Sequence, residues 1–177
     1  MIQSATTLPI STPLPTHCPV TGLPIYGDAG WIYTSPGGDY RLRVSFIGDR
    51  IAWLQPQGHV RLRHARKGMA LLDDVLLAML PDASPFIAIH DYSSVTGASL
   101  NARRFVKQTL RQKQQMQAYI AYGFPHIFRI GFELGHRFGG FPFDIVVALD
   151  YEEAVTIGQA RSNRMASQVG TKPAGSG

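Results

Sequence analysis

FIAIHDYSSVTGASLNARR, residues 86 to 104, decides the architecture, because it reads as a strand, a polar loop and the start of a helix in immediate succession. Phe86 to His90 is a short β-favouring run, and Asp91-Tyr92-Ser93-Ser94 is the kind of Asp/Ser cluster that ends a strand by bonding nearby backbone N–H groups. Ser99 or Thr96 supplies the N-cap of a helix from about Leu100 to Gln115, whose core stripe is Ala102, Phe105, Val106 and Leu110.

Upstream, Tyr40 to Gln55 holds two alternating runs around Gly48-Asp49, a two-residue hairpin signal. With 48 and 49 as the loop, Phe46 faces Ile51 and Val44 faces Trp53, so the large apolar residues share one face while Arg43 and Ser45 take the other. A helix from about Lys67 to Leu80 follows, with Leu72, Val75, Leu76 and Met79 at core-facing spacing and Pro81 just past its end. Downstream, Met116 to Tyr122 reads as a strand, and Pro125 opens a third helix striped by Ile127, Ile130, Leu134 and Phe138. Phe143 to Leu149 is a continuous apolar run of the type covered on both faces, and Asp150 caps a last helix with Glu152 and Glu153 in its first turn. The predicted order, ββαβαβαβα, implies right-handed crossovers and a mostly parallel α/β sheet with the antiparallel hairpin at one side.

A chain of 177 residues suits one core. Residues 1–16 and 162–177 are rich in Ser, Thr, Pro and Gly and are expected to be disordered, leaving a single domain over 17–161 with an N-terminal turn segment at 17–39. Cys18 is the only cysteine, which excludes an intramolecular disulfide and an all-cysteine metal site and fits a reducing, cytoplasmic setting. The opening residues carry Pro9, Pro13 and Pro15 and no basic n-region, unlike a signal peptide, and no apolar run reaches membrane-spanning length. Lys and Arg number 17 against 12 Asp and Glu, a formal charge of +5 that favours an anionic partner.

On residues 86 to 104 and on the element order over about 40 to 161, the chain resembles the STAS domain of anti-sigma-factor antagonists and sulphate transporters, and its SpoIIAA-like relatives. The resemblance implies a non-catalytic regulatory or sensory module of bacterial signalling whose partner is a protein such as a kinase or regulator. In that family a strand-end Asp and a short loop lead to an Asp-Ser or Asp-Thr pair at the helix start, where the hydroxyl is phosphorylated. Asp91 matches the strand-end residue, Ser99 stands at the second Asp, and Leu100 or Asn101 stands at the phosphoacceptor, so only Ser99 is left as a remnant of such a switch. The segment CPVTGLPI, residues 18 to 25, is similar to the N-terminal portion of some bacterial sensor histidine kinases.

The candidate binding site is the crevice outside the carboxyl ends of the strands, where Asp91 to Ser94, Tyr122-Gly123 and Asp150-Tyr151 are expected to converge with the N-terminus of the second helix. Its residues are Asp91, Ser93, Ser94, Ser99, Asn101, Arg103 and Arg104, and free helix N–H groups beside Arg suit an acidic side chain or a small anion. A secondary basic cluster, Arg61, Arg63, Arg66 and Lys67 with His64, leads into the first helix. An alternative reading makes His90, Asp91 and Ser93 the centre of a small hydrolase, although Gly-x-Ser-x-Gly is absent. A further alternative has the basic second helix bind nucleic acid, disfavoured because no aromatic residues are interleaved with its cations. No Walker loop, GxGxxG or paired metal ligands occur, so no cofactor or metal is expected. Trp53 and Leu54, taken to lie on an edge hairpin, are expected to support a homodimer.

Overall fold

A computed structural model describes residues 15–124 and 140–169. The expected third helix, 125 to 138, lies outside the described residues, as do 1–14 and 170–177. The elements are β1 (Ile25–Tyr26), β2 (Ile32–Thr34), β3 (Tyr40–Ile47), β4 (Ile51–Val60), α1 (Leu62–Met79), β5 (Phe86–Asp91), β6 (Val95–Ala98), α2 (Leu100–Arg111), β7 (Met116–Tyr122), β8 (Asp144–Val147) and α3 (Tyr151–Val169). They build one sheet in the order β1-β3-β4-β5-β7-β8, with β2 also on β3 and β6 also on β4. Pairing is antiparallel among β1 to β4 and parallel from β4 through β8, which is the expected parallel sheet with an antiparallel hairpin at one side.

Helices α1 and α2 cover one face of the sheet, and α3 with the N-terminal turn covers the other. The central strands are apolar at both parities for this reason: Phe86 and Ala88 point into one core, Ile87 and Ile89 into the other. On the α3 side, Gly158 lets the helix approach until a Cβ there would sit 3.1 Å from Ile89.

The hairpin register differs by one residue from the expected pairing. Ser45 is opposite Trp53, Val44 opposite Leu54 and Ile47 opposite Ile51, with Gly48 to Arg50 as a three-residue loop. Trp53 and Ile51 therefore share the face of Arg43 and Ser45, and Val44 and Phe46 share the face of Ala52 and Leu54. Both faces are buried, so neither register leaves an apolar row in water.

Helix α1 starts at Leu62, five residues before the expected start at Lys67, because Ala65, Gly68 and Met69 extend the buried stripe backwards from Leu72. Arg63, His64, Arg66 and Lys67 are thus part of the helix and do not merely lead into it. The run at 143–149 forms only the four-residue β8 at the sheet edge, half-buried, where a strand covered on both faces was expected. Helix α3 continues through 162–169, so that stretch is ordered helix, in contrast to the disordered tail its composition suggested. Asp150 does cap it, accepting the Glu153 N–H at 2.9 Å, while the Glu153 carboxylate accepts from the Leu149 N–H.

Candidate functional site

Strand β5 ends in a tight polar turn. The Asp91 carboxylate accepts from the Ser93 N–H at 2.9 Å and the Ser93 hydroxyl at 2.6 Å, while the Tyr92 N–H bonds the Tyr122 carbonyl at 2.9 Å. Gly123, φ +80°, lies flat against this turn: a Cβ on it would be 2.5 Å from the Ser93 nitrogen. The ends of β5 and β7 are therefore in direct contact. Tyr151, at the start of α3, joins them from the other side, its ring against those of Tyr122 and Trp53.

The start of α2 does not join this group. After Ser94 the chain turns to form β6, which pairs in parallel with the carboxyl half of β4, Gly58 with Val95 and Val60 with Ala98. The Gly58 N–H bonds the Ser94 carbonyl at 2.9 Å, and the Ser99 N–H bonds the Val60 carbonyl at 3.0 Å. These bonds deliver the first residue of α2 to the entrance of α1. Ser99 caps α2 by accepting the Ala102 N–H at 3.3 Å, Arg103 is anchored through Nε to the Ala98 carbonyl at 3.0 Å, and Asn101 and Arg104 are exposed. Of the expected site, then, Asp91, Ser93 and Ser94 form one group and Ser99, Asn101, Arg103 and Arg104 another.

The basic residues of the two helices meet instead. Arg66 of α1 holds its guanidinium 5.9 Å above the Phe105 ring of α2, and Arg63, Arg66, Lys67, Arg103, Arg104 and Lys107 are all exposed. Neither helix has an acidic residue in its first turn. Cations at helix N-termini oppose the macrodipole, so this end of the molecule carries positive charge that the helices themselves do not favour.

Asp39 balances part of that charge and was not expected to. It lies 3.5 Å from Arg61, 3.9 Å from Arg63 and 3.7 Å from Nε2 of His64, and accepts the Ser35 hydroxyl at 2.6 Å, which with these neighbours holds its carboxyl below the usual range. His64 is fully buried, stacked 4.8 Å from Tyr40, with Nδ1 on the His59 carbonyl at 3.1 Å and Nε2 accepting from Nε of Arg63 at 3.1 Å. The only local signal was Ser35-Pro36-Gly37-Gly38-Asp39, a turn that places Asp39 at the foot of β3.

His90 is separated from Asp91 and Ser93 by strand alternation, since consecutive residues of β5 point to opposite faces. Its ring stacks 4.4 Å from Tyr119 and 5.8 Å from Tyr92, whose hydroxyls bond each other, and its Nε2 has no hydrogen-bond partner among the described residues. Burial pushes its pKa down to about 3, so the ring is neutral near pH 7. His90, Asp91 and Ser93 do not form a nucleophile–base–orienter arrangement.

On the α3 side, sequence reasoning missed a second polar chain. The Trp53 indole donates to the Tyr122 hydroxyl at 3.2 Å, and burial, then the Asp91 charge, raises that hydroxyl's pKa. The Tyr151 hydroxyl contacts the Cys18 thiol at 3.3 Å, which docks the 18–25 turn onto α3. Trp53 and Leu54 are thus buried in this chain's own core, on a strand at the centre of the sheet, and the hairpin offers no apolar edge for a second copy. Cavities of about 370 Å³, beside Ile25, Asp28 and Arg43, and about 490 Å³, beside Phe141, Asp144 and Arg161, lie at the two edges of the sheet and do not border the strand-end turn. Among the described residues no cluster of His, Cys, Asp and Glu could hold a metal, and no helix is long and apolar enough to cross a membrane.

A mostly parallel sheet with an antiparallel hairpin on one side and helices on both faces is a SpoIIAA-like α/β fold. The chain is similar to the crystal structure of an uncharacterised DUF3478-family protein with a SpoIIAA-like fold from Shewanella loihica PV-4, with a TM-score of 0.53 and 15% identity over 67% of this chain and 93% of that one. No family model matches the chain, and no curated protein matches it. The likeness is one of fold.

Proposed function

We propose that this protein is a non-catalytic regulatory or sensory module of a signalling system that docks an acidic group of a partner protein at the first turn of α2. The observation that carries the reading is the pair of parallel helix starts brought together by β6, with Asn101, Arg103 and Arg104 exposed and no first-turn acid on either helix. Exposed Arg beside free helix N–H groups suits a carboxylate or phosphate carried by another protein, such as a signalling kinase or regulator. The SpoIIAA-like fold agrees with a regulatory role, and Ser99 serves here as a cap. A cytoplasmic setting and a small anion as ligand are compatible with the same surface.

Capture from a lysate of the native host, comparing wild type with Arg103→Glu/Arg104→Glu at low salt, tests this. A specific protein should be retained by the wild type and lost by the variant, with a melting temperature nearly unchanged because the Arg103–Ala98 bond that is lost is exposed. Equal retention by both refutes the reading, and turnover abolished by Ser93→Ala would replace it with the hydrolase alternative.

A further inference from the structure

Strand β3 loses its outer neighbour halfway along. Tyr26, the end of β1, is opposite Phe46, and Ile32, the start of β2, is opposite Arg43, so Val44 and Ser45 have no strand on that side among the described residues. Between β1 and β2 the chain bows outwards through Gly27, Asp28 and a short helical turn at Ala29–Trp31, which Asp28 caps by accepting the Gly30 N–H at 2.7 Å. The gap borders the cavity of about 370 Å³, whose walls include Ile25, Ile32 and Val44 and whose lining carries two opposite charges, Asp28 and Arg43. Asp28 is exposed, whereas Arg43 is only 9% exposed.

Polar atoms crowd this corner without being satisfied. Arg41, Arg43 and Ser45 alternate onto one face of β3, and Gln55 of β4 is opposite Arg43 on the same face. Arg41 Nε, Ser45 Oγ and Gln55 Oε1 are buried there with no hydrogen-bond partner among the described residues, and Ser45 is wholly buried. Buried polar atoms are costly to leave unbonded, so three on neighbouring residues beside one cavity point to something that bonds them. Arg41 Nε offers a donor, Gln55 Oε1 an acceptor and Ser45 either.

We infer that this cavity binds a small zwitterion of the α-amino acid class with an apolar side chain, its carboxylate on Arg43, its ammonium group towards Asp28 and its side chain against Ile25 and Ile32. The volume is that of a small-molecule pocket. A purely anionic ligand such as inorganic phosphate meets the Asp28 carboxylate in the same cavity and leaves the apolar walls unfilled. A simple aliphatic carboxylate brings no donor for Asp28 or for Gln55 Oε1. Burial, then the neighbouring Arg41, lowers the pKa of Arg43, a cost to its charged form that a carboxylate offsets. None of these residues belongs to α1 or α2, so the site stands or falls apart from the partner surface proposed above.

Calorimetric titration of the full chain with L-valine, L-leucine, L-methionine and L-phenylalanine should show binding by at least one, with a rise in melting temperature at saturating ligand. For the tightest, the analogue without the amino group and the analogue without the carboxylate should each bind at least about tenfold more weakly, and inorganic phosphate should not compete. Asp28→Asn keeps the cap acceptor and removes the charge, so it should weaken the amino acid at least about tenfold without weakening the analogue that lacks the amino group. Arg43→Gln should weaken both. If Arg43→Gln does not fold, Asp28→Asn, at an exposed position, carries the test alone. The proposal is overturned if none of the four amino acids binds, if the analogue without the amino group or inorganic phosphate binds as tightly as the parent, or if Asp28→Asn leaves the amino acid's affinity unchanged.

Discussion

Replacing Gly123 by Ala tests whether the strand-end turn is held by direct backbone contact. Gly123 has φ +80°, and an added Cβ would lie 2.5 Å from the Ser93 nitrogen and 2.9 Å from its Cα, well inside van der Waals contact. The obstacle is backbone, pinned by the Ser93 N–H bond to Asp91, so it cannot swing aside as a side-chain tip would. The left-handed φ alone costs an L-residue about 1–2 kcal/mol, and forced overpacking adds about 1–3 kcal/mol. Together they amount to about 2–5 kcal/mol, a melting shift on the order of 4 to 20 °C for a chain of this size. Gly22 is the internal control. Its φ is +70° but an added Cβ would meet nothing within 4 Å, so Gly22→Ala should show only the conformational part, about 1–2 kcal/mol. Thermal and urea unfolding followed by circular dichroism read both variants. Equal destabilisation, or a Gly123→Ala midpoint within about 1 °C of wild type, would show that the contact between the ends of β5 and β7 is not as described.

Ser99→Ala removes the N-cap acceptor of the Ala102 N–H and should lower stability by about 0.5–2 kcal/mol in urea unfolding. Phosphate found on Ser99 in protein from the native host would show that the residue does more than cap. His90 should make the protein acid-sensitive: its folded pKa of about 3 lies below the ordinary 6.5, so the unfolded chain binds the proton first and stability falls as pH drops from about 6.5 towards about 3. The slope reaches about 1.4 kcal/mol per pH unit. His90→Phe, placed among Tyr92 and Tyr119, should flatten it, and an unchanged slope between pH 6.5 and 5 would remove His90 as its source.

The strands at 86–91 and 116–122 and the cap at Ser99 were legible because each depends on local chemistry: a β-favouring run, an Asp/Ser loop, a serine just before a helical stripe. The hairpin register was not. Alternation fixes register only when one face is wet, and here Ile47, Ile51 and Trp53 fill one core while Val44, Phe46 and Leu54 fill the other. The true start of α1 was masked by its Arg and His content, although Ala65, Gly68 and Met69 stand seven, four and three residues before Leu72 on the same stripe. Strand β6 is four residues with a glycine inside, too short for any periodic signal, and its partner is more than thirty residues upstream. Missing β6 is also why the start of α2 was expected beside Asp91 to Ser94, whereas the Ser99 N–H bonds the Val60 carbonyl at the entrance of α1.

The contact between Cys18 and Tyr151 spans 133 residues of chain. Closing so long a loop costs more chain entropy than forming the hairpin or a neighbouring crossover. The turn at 18–25 is tied to the hairpin, Ile25 opposite Ile47 and the Pro24 carbonyl accepting the Gly48 N–H at 2.8 Å, so only its Cys18 end depends on α3 beside Trp53. On loop-closure grounds the Cys18–Tyr151 contact is expected to form after the sheet, sealing the free end of the turn against α3. A change confined to that contact, such as Cys18→Ala, is then expected to alter how fast the protein comes apart more than how fast it forms, as the two arms of a chevron would read.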